Sequence, residues 1–69
     1  MPKRLLDSFA SNVKERRIAK KMTQETLARA IKVSVSYVSM LERGQRSPPL
    51  DMVERVAKAL GVSPLTLLQ

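Results

Sequence analysis

Residues 23–44 constrain the fold of this chain more than any other segment. Two short apolar patterns lie within it, and a hydroxyl side chain precedes each of them, Thr23 before the first and Ser34 before the second. Such side chains cap helix N-termini, and Gly44 follows the second pattern at the place where a helix commonly ends. The segment therefore predicts two short helices joined by a tight turn. Such a pair does not make a catalytic site, but it can present one helix to a groove of a nucleic acid.

The same signals divide the rest of the chain into helices. Apolar residues recur at helical spacing, as Leu6, Phe9 and Val13 do near the start, and tandem prolines favour a loop after the second short helix. The predicted fold is a single compact all-α domain over residues 1–69, with helices at about 6–21, 24–31, 35–43, 51–60 and 64–68. Its expected parts are a basic N-terminal arm at 1–5, a helix-turn-helix at 24–43, a loop at 44–50 and C-terminal helices at 51–69.

Composition argues against several classes of function. The sequence has neither histidine nor cysteine, and its six acidic residues show no paired spacing, so we expect no enzyme, no metal site and no cofactor. An aromatic content of 3% is too low for a platform that stacks single-stranded bases. The apolar runs fall far short of the roughly 20 residues of a membrane span. The N-terminus lacks the features of a signal peptide, so the expected location is the cytoplasm.

Charge is concentrated in one part of the chain. The formal net charge is +7, and residues 1–47 hold 11 of the 13 Lys and Arg residues against four acidic residues, whereas residues 48–69 hold two of each. A basic face of this kind favours a polyanion such as duplex DNA. The alternative is a solvated basic surface that keeps a small protein soluble.

The two short helices have residues that suit a steep crossing. A helix-turn-helix needs a small residue in its first helix opposite a branched residue in its second, and Ala28 and Val38 meet that need. Further apolar residues would close the core behind them, namely Leu27, Ile31, Val33 and Leu41. Spacing alone is also compatible with an ordinary pair of packed helices.

Several strings in this order resemble one family. They are T-Q-E-T-L-A-R-A, V-S, Y-V-S-M-L-E-R-G, a proline, and V-A-K-A-L-G-V-S. Together they are similar to the Cro/repressor (xenobiotic-response-element) helix-turn-helix family, which includes lambdoid-phage repressors and restriction–modification controller proteins, and the similarity spans about residues 6–68. The resemblance implies a nucleoid-associated bacterial or phage regulator of transcription, commonly a homodimer that binds double-stranded DNA at a palindromic operator with its third helix in the major groove.

The resemblance also implies roles for individual residues. Base contacts are implied for Val35, Ser36, Ser39 and Met40, and contacts to the DNA backbone for Gln24, Ser34, Tyr37, Arg43 and Arg46. A structural ion pair is implied between Arg17 and Glu42. Other readings are an exposed helix-start residue for Gln24 and a position at the margin of the core for Val35 and Met40.

Two departures from the family pattern matter. Lys32 stands where the family usually has glycine, and a left-handed conformation there would cost roughly 1 kcal/mol. Either the turn differs slightly from the family pattern, or the protein accepts this strain in exchange for a cation near the DNA. The base-facing set contains no Arg, Asn or Gln, whose bidentate contacts contribute roughly 1–3 kcal/mol of discrimination each. We therefore expect modest direct readout of bases, with Lys32, Arg43 and Arg46 acting through phosphates or groove shape.

The neutral C-terminal third offers a possible dimer interface. Its apolar residues exceed what one short helix needs for its own core, and the candidates for the interface are Met52, Leu65, Leu67 and Leu68. The alternative is that these residues form the back of the core.

A second functional class also stays open, a protein-interaction module of the same fold such as an antitoxin or anti-repressor with a protein partner. A membrane-surface binder is disfavoured, because caps, glycines and prolines interrupt what would have to be one long amphipathic helix.

Overall fold

The computed structural model describes residues 4–69 and contains five helices. They are α1 (Leu5–Ala19), α2 (Gln24–Ile31), α3 (Val35–Glu42), α4 (Leu50–Leu60) and α5 (Pro64–Leu68). The predicted all-α class is confirmed, and no strand occurs within the described range. Residues 1–3 of the predicted basic arm lie outside the described residues, and Leu5 already belongs to α1. None of the helices described has the length and hydropathy needed to cross a bilayer.

All five helices contribute side chains to one core. α1 packs against α3 and α5, α2 packs against α3 and α4, and α4 packs against α5. The buried apolar residues are Phe9, Ala10, Val13, Leu27, Ala28, Ile31, Val38, Leu41, Met52, Val53, Val56, Ala57, Leu60 and Leu67. The core therefore lies behind the α2–α3 pair and fixes its orientation.

The prediction that Met52 and Leu67 face a dimer partner is wrong. The side chain of Leu67 is fully buried and that of Met52 is 8% exposed, so both are used within the domain itself. Leu67 is buried because α5 packs against both α1 and α4. Of the predicted interface residues, Leu65 is exposed and Leu68 is half-buried.

Four helix ends use a residue in the left-handed conformation. Gly44 and Gly61 adopt it after α3 and α4, and Lys21 and Lys32 adopt it after α1 and α2. At Lys32 (φ 60°, ψ 47°) the next backbone N–H, that of Val33, donates to the carbonyl of Ala28 at 2.9 Å. Of the two alternatives for Lys32, the structure therefore has the left-handed conformation with its strain. It is compensated by satisfied carbonyls at the helix end and by Val33, which packs against the core.

Side chains from other helices satisfy further carbonyls at helix ends. Asn12 Nδ2 donates to the Leu67 carbonyl at 2.9 Å, and Arg55 Nη1 donates to the Ile31 carbonyl at 3.2 Å. The last turn of a helix leaves carbonyls without partners, so these bonds link α1 to α5 and α4 to α2. Within residues 4–69, every buried side-chain nitrogen and oxygen has a hydrogen-bond partner.

Candidate nucleic-acid interface

The α2–α3 pair is fixed by its caps and by a close contact between helices. The Thr23 hydroxyl accepts a hydrogen bond from the Thr26 backbone N–H at 3.0 Å, and the Ser34 hydroxyl accepts one from the Tyr37 N–H at 3.1 Å. Ala28 on α2 and Val38 on α3 are both buried where the two helices pack. A helix-turn-helix needs such a small residue in its first helix and a branched one in its second. α3 is therefore packed against α2 through Val38 and has one face directed away from the core.

That outward face carries the four residues predicted to contact bases. Val38 and Leu41 form the buried side of α3, whereas Val35 is 41% exposed and Ser36 is exposed. Ser39 and Met40 are half-buried on the same flank. The face thus combines hydroxyl and apolar groups. Val35 lies outside the buried core, whereas the half-burial of Met40 fits a position at the margin of the core.

Cationic and polar side chains surround this face. The Arg46 guanidinium lies 5.8 Å from the centroid of the Tyr37 ring, within the range of a cation–π contact. Arg43 Nε donates to the Ser39 carbonyl at 3.4 Å, and Lys32 is exposed in the turn between the two helices. The Ser34 hydroxyl accepts a bond as a cap, so its own hydrogen is free to be donated to a phosphate.

A buried ion pair lies beneath the start of α2. Arg17 Nε donates to Glu42 Oε2 at 2.6 Å and Arg17 Nη2 donates to Glu42 Oε1 at 3.2 Å. The side chains are 11% and 3% exposed, and Arg17 Nη1 also donates to the Met22 carbonyl at 2.7 Å. The pair therefore ties α1 to the end of α3 and to the segment that leads into α2.

The same carboxylate accepts a hydrogen bond that sequence reasoning missed. Gln24 Nε2 donates to Glu42 Oε1 at 3.1 Å, so the half-buried side chain of Gln24 is held against the end of α3. Gln24 is therefore not simply an exposed residue at a helix start. Its place at the first position of α2 gave no signal for this contact, because the contact spans 18 residues and depends on how α2 and α3 cross.

An apolar surface on another side of the domain was also missed. It surrounds a groove of about 200 Å³ lined by Leu5, Leu6, Phe9, Ser47, Pro48, Leu50, Val53 and Leu68. Leu5 and Leu50 are 62% and 80% exposed at its edges. Both leucines begin a helix one residue earlier than the predicted starts at 6 and 51, because the sequence analysis placed Leu5 in the arm and Leu50 in the loop.

A polar groove of about 450 Å³ separates α1 from the end of α3. It is lined by Asp7, Ala10, Ser11, Lys14, Glu15, Glu42, Arg43 and Gly44. Beside it, a hydrogen bond to Asp7 and the charge of that carboxylate raise the pKa of Arg4. The lining carries both signs of charge, so this groove suits a polyanion less well than the α3 face does. Among residues 4–69, no group of three or more His, Cys, Asp or Glu is placed to hold a metal ion.

Comparisons with known proteins agree with this geometry. A family model described as helix-turn-helix matches residues 13–67. Control protein C.BamHI from Bacillus amyloliquefaciens is 43% identical over 61 residues, which cover 87% of this chain and 75% of that protein. The crystal structure of the restriction–modification controller protein C.AhdI from Aeromonas hydrophila is similar with a TM-score of 0.85 at 40% identity, over 90% of this chain and 94% of that one. The hypothetical transcription factor NHTF from Neisseria gives a TM-score of 0.92 at 35% identity, over 100% and 82% of the two chains.

Proposed function

This chain belongs to the Cro/repressor-type helix-turn-helix family of transcriptional regulators, and we propose that it binds duplex DNA sequence-specifically as a homodimer on a palindromic operator. α3 would lie in the major groove with its outward face toward the bases. The observation that carries this proposal is the α3 face itself, which is exposed at Val35 and Ser36, lies on a helix with a capped N-terminus, and is bordered by the exposed cations Lys32, Arg43 and Arg46.

The proposed base contacts follow from the chemistry of that face. Val35 and Met40 can make only apolar contacts, for which the methyl group of thymine is the suitable partner. Ser36 and Ser39 offer single hydrogen bonds that can adapt to several bases. We therefore propose modest direct readout, with part of the sequence preference arising from groove width and deformability.

The proposed backbone contacts come from the surrounding side chains. Lys32, Arg43 and Arg46 are exposed cations, and Arg46 is further oriented by the ring of Tyr37. The free hydroxyl hydrogen of Ser34 and the amide of Gln24 would donate to phosphates at the N-termini of α3 and α2, where the helix dipoles favour an anion. Because cations on phosphates release counterions, binding should weaken steeply as salt rises.

The proposed dimer uses the apolar surface that remains exposed. Leu65 on α5 is 69% exposed, and Leu68 lines the groove edged by Leu5 and Leu50. Residues 48–69 carry no net charge, so two copies would not repel one another through this region. A two-fold axis would place two α3 helices on half-sites about 34–36 Å apart, one turn of the duplex.

Two other functions are less well supported. A protein-interaction module would have little use for the cations around α3, although the apolar groove could serve such a role. Catalysis is disfavoured because the sequence offers no histidine or cysteine.

Selection from a random pool of DNA duplexes at about physiological salt, read by sequencing, tests the proposal. We expect enrichment of an inverted repeat whose half-site centres are about one helical turn apart. Enrichment of single, unpaired half-sites would contradict the dimer but leave DNA binding in place. An absence of any salt-sensitive binding would contradict the proposed function and favour the protein-interaction module.

A further inference from the structure

We infer that Glu42 is a positioning residue for DNA binding, because its carboxylate holds the amide of Gln24 in the orientation that meets a phosphate. This inference rests on the proposed function, and it assigns to the Arg17–Glu42 pair a role beyond linking α1 and α3. The observation behind it is the hydrogen bond of 3.1 Å from Gln24 Nε2 to Glu42 Oε1.

The carboxylate is a fixed acceptor. Its Oε2 accepts from Arg17 Nε at 2.6 Å, and its Oε1 accepts from both Arg17 Nη2 and Gln24 Nε2. Arg17 is itself held by its bond of 2.7 Å to the Met22 carbonyl, and the Glu42 side chain is only 3% exposed. A planar guanidinium that donates two bonds fixes the plane of the carboxylate, so Oε1 cannot turn away from Gln24.

The second N–H of the Gln24 side-chain amide is then available to donate to a phosphate. A primary amide has two N–H groups, and Glu42 uses one of them. Within residues 4–69 the second N–H has no acceptor, and Gln24 lies at the first position of α2 beside the backbone N–H groups of that helix end. These groups together make a small anion-binding arrangement that is ordered before the DNA arrives.

Arg17 also makes this arrangement electrostatically possible. An isolated carboxylate so close to a phosphate would repel it, but here the guanidinium neutralises the charge at a distance of 2.6 Å. The pair therefore contributes an acceptor for Gln24 without contributing net negative charge to the interface.

A cycle of variants tests the inference on the duplex that selection yields. The fold-changes here are given for one half-site, and a homodimer on a palindrome would show each of them twice. Gln24→Ala should weaken the Kd about 10-fold, as expected for the loss of one hydrogen bond to a charged group. Arg17→Met with Glu42→Leu removes the acceptor without changing the net charge, and replacing both partners of a buried pair by apolar side chains commonly preserves folding. This double variant should weaken the Kd about 2- to 12-fold, because an ordered side chain is lost.

The coupling between the changes is the decisive readout. Adding Gln24→Ala to the double variant should weaken the Kd about 2-fold or less, since Glu42 no longer positions the Gln24 amide there. The control is Lys58→Ala, at an exposed position on α4. It should change the Kd by the same factor in the wild-type protein and in the double variant. An equal cost of Gln24→Ala in both backgrounds would overturn the inference while leaving the proposed function intact. If the wild-type protein bound no duplex, the proposed function and the inference would both be wrong.

A measurement on the wild-type protein keeps the test independent of how the variants fold. The side-chain amides of Gln24, Gln45 and Gln69 can be compared by ¹⁵N heteronuclear NOE, and Gln45 and Gln69 are exposed. We expect the Gln24 amide to be ordered in the free protein and to shift on addition of DNA, and the other two to be mobile. Equal mobility of all three amides would contradict the inference without any reference to folding of a variant.

Discussion

Replacing Lys21 by glycine is expected to stabilise the domain. Lys21 has a φ of 58° directly after α1, and its side chain is exposed. A left-handed conformation costs an L-residue about 1–2 kcal/mol, whereas glycine adopts it freely. The bonds at this helix end, from the N–H groups of Lys21 and Met22 to the carbonyls of Ile18 and Arg17, are made by the backbone and survive the change. The greater freedom of glycine in the unfolded chain offsets part of the gain, which leaves about 0.5–1 kcal/mol.

Thermal unfolding followed by circular dichroism at 222 nm measures this gain. In a domain of this size 1 kcal/mol shifts Tm by roughly 4–8 °C, so Lys21→Gly should raise Tm by about 2–8 °C. Gly61→Ala is the matched control of opposite sign, because Gly61 has a φ of 70° and a new Cβ would meet only the flexible end of Lys20 at 3.3 Å. If Lys21→Gly left Tm unchanged or lowered it while Gly61→Ala lowered it, the strain assigned to Lys21 would be refuted.

Three further predictions concern the ion pair, the DNA face and the dimer. Glu42→Ala should destabilise the domain by about 3–5 kcal/mol in urea unfolding, since it leaves the Arg17 guanidinium buried without its partner; a loss below about 1 kcal/mol would contradict the buried pair. Arg43→Ala should weaken binding to all duplexes to a similar extent, whereas Met40→Ala should change the selected sequence, and an unchanged selection would place the recognition face elsewhere. Leu65→Asp should shift the protein toward monomer in analytical ultracentrifugation while the helical signal is retained, because Leu65 is 69% exposed.

The helices were predictable because local signals and tertiary packing agree over most of the chain. Capping hydroxyls and apolar spacing placed α2 and α5 with the bounds that the structure has. The end of α1 was predicted at about 21 but lies at Ala19, because Lys21 adopts the conformation usually marked by glycine. Met22 is the sequence signal that could have located this helix end. It is an apolar residue directly after the left-handed one and packs against the core, as Val33 does after α2 and Val62 after α4.

The surfaces were less predictable than the helices. Apolar spacing shows that α5 has a buried face but not which neighbour covers it, and so Leu67 was assigned to a partner although α1 and α4 enclose it. The outward residues of α3 were placed more securely, since Val38 and Leu41 fix the buried side and leave Val35 and Ser36 on the other. Contacts between side chains distant in sequence, such as that of Gln24 with Glu42, depend on the crossing of helices and have no local signal.

The buried pair makes stability and DNA binding difficult to separate in this domain. A chain of this length has a total stability of about 3.5–10 kcal/mol, so losing about 3–5 kcal/mol at Glu42 would leave a substantial unfolded fraction. Weak binding by a single variant of Arg17 or Glu42 would then report the folded fraction as much as any contact. Changing both residues together removes this ambiguity, because it avoids an unpaired buried charge and keeps the net charge of +7. A fall in affinity that persists in such a folded, charge-matched protein is due neither to unfolding nor to net charge, and its coupling to Gln24→Ala shows how much of it acts through Gln24, the interface residue that the pair contacts.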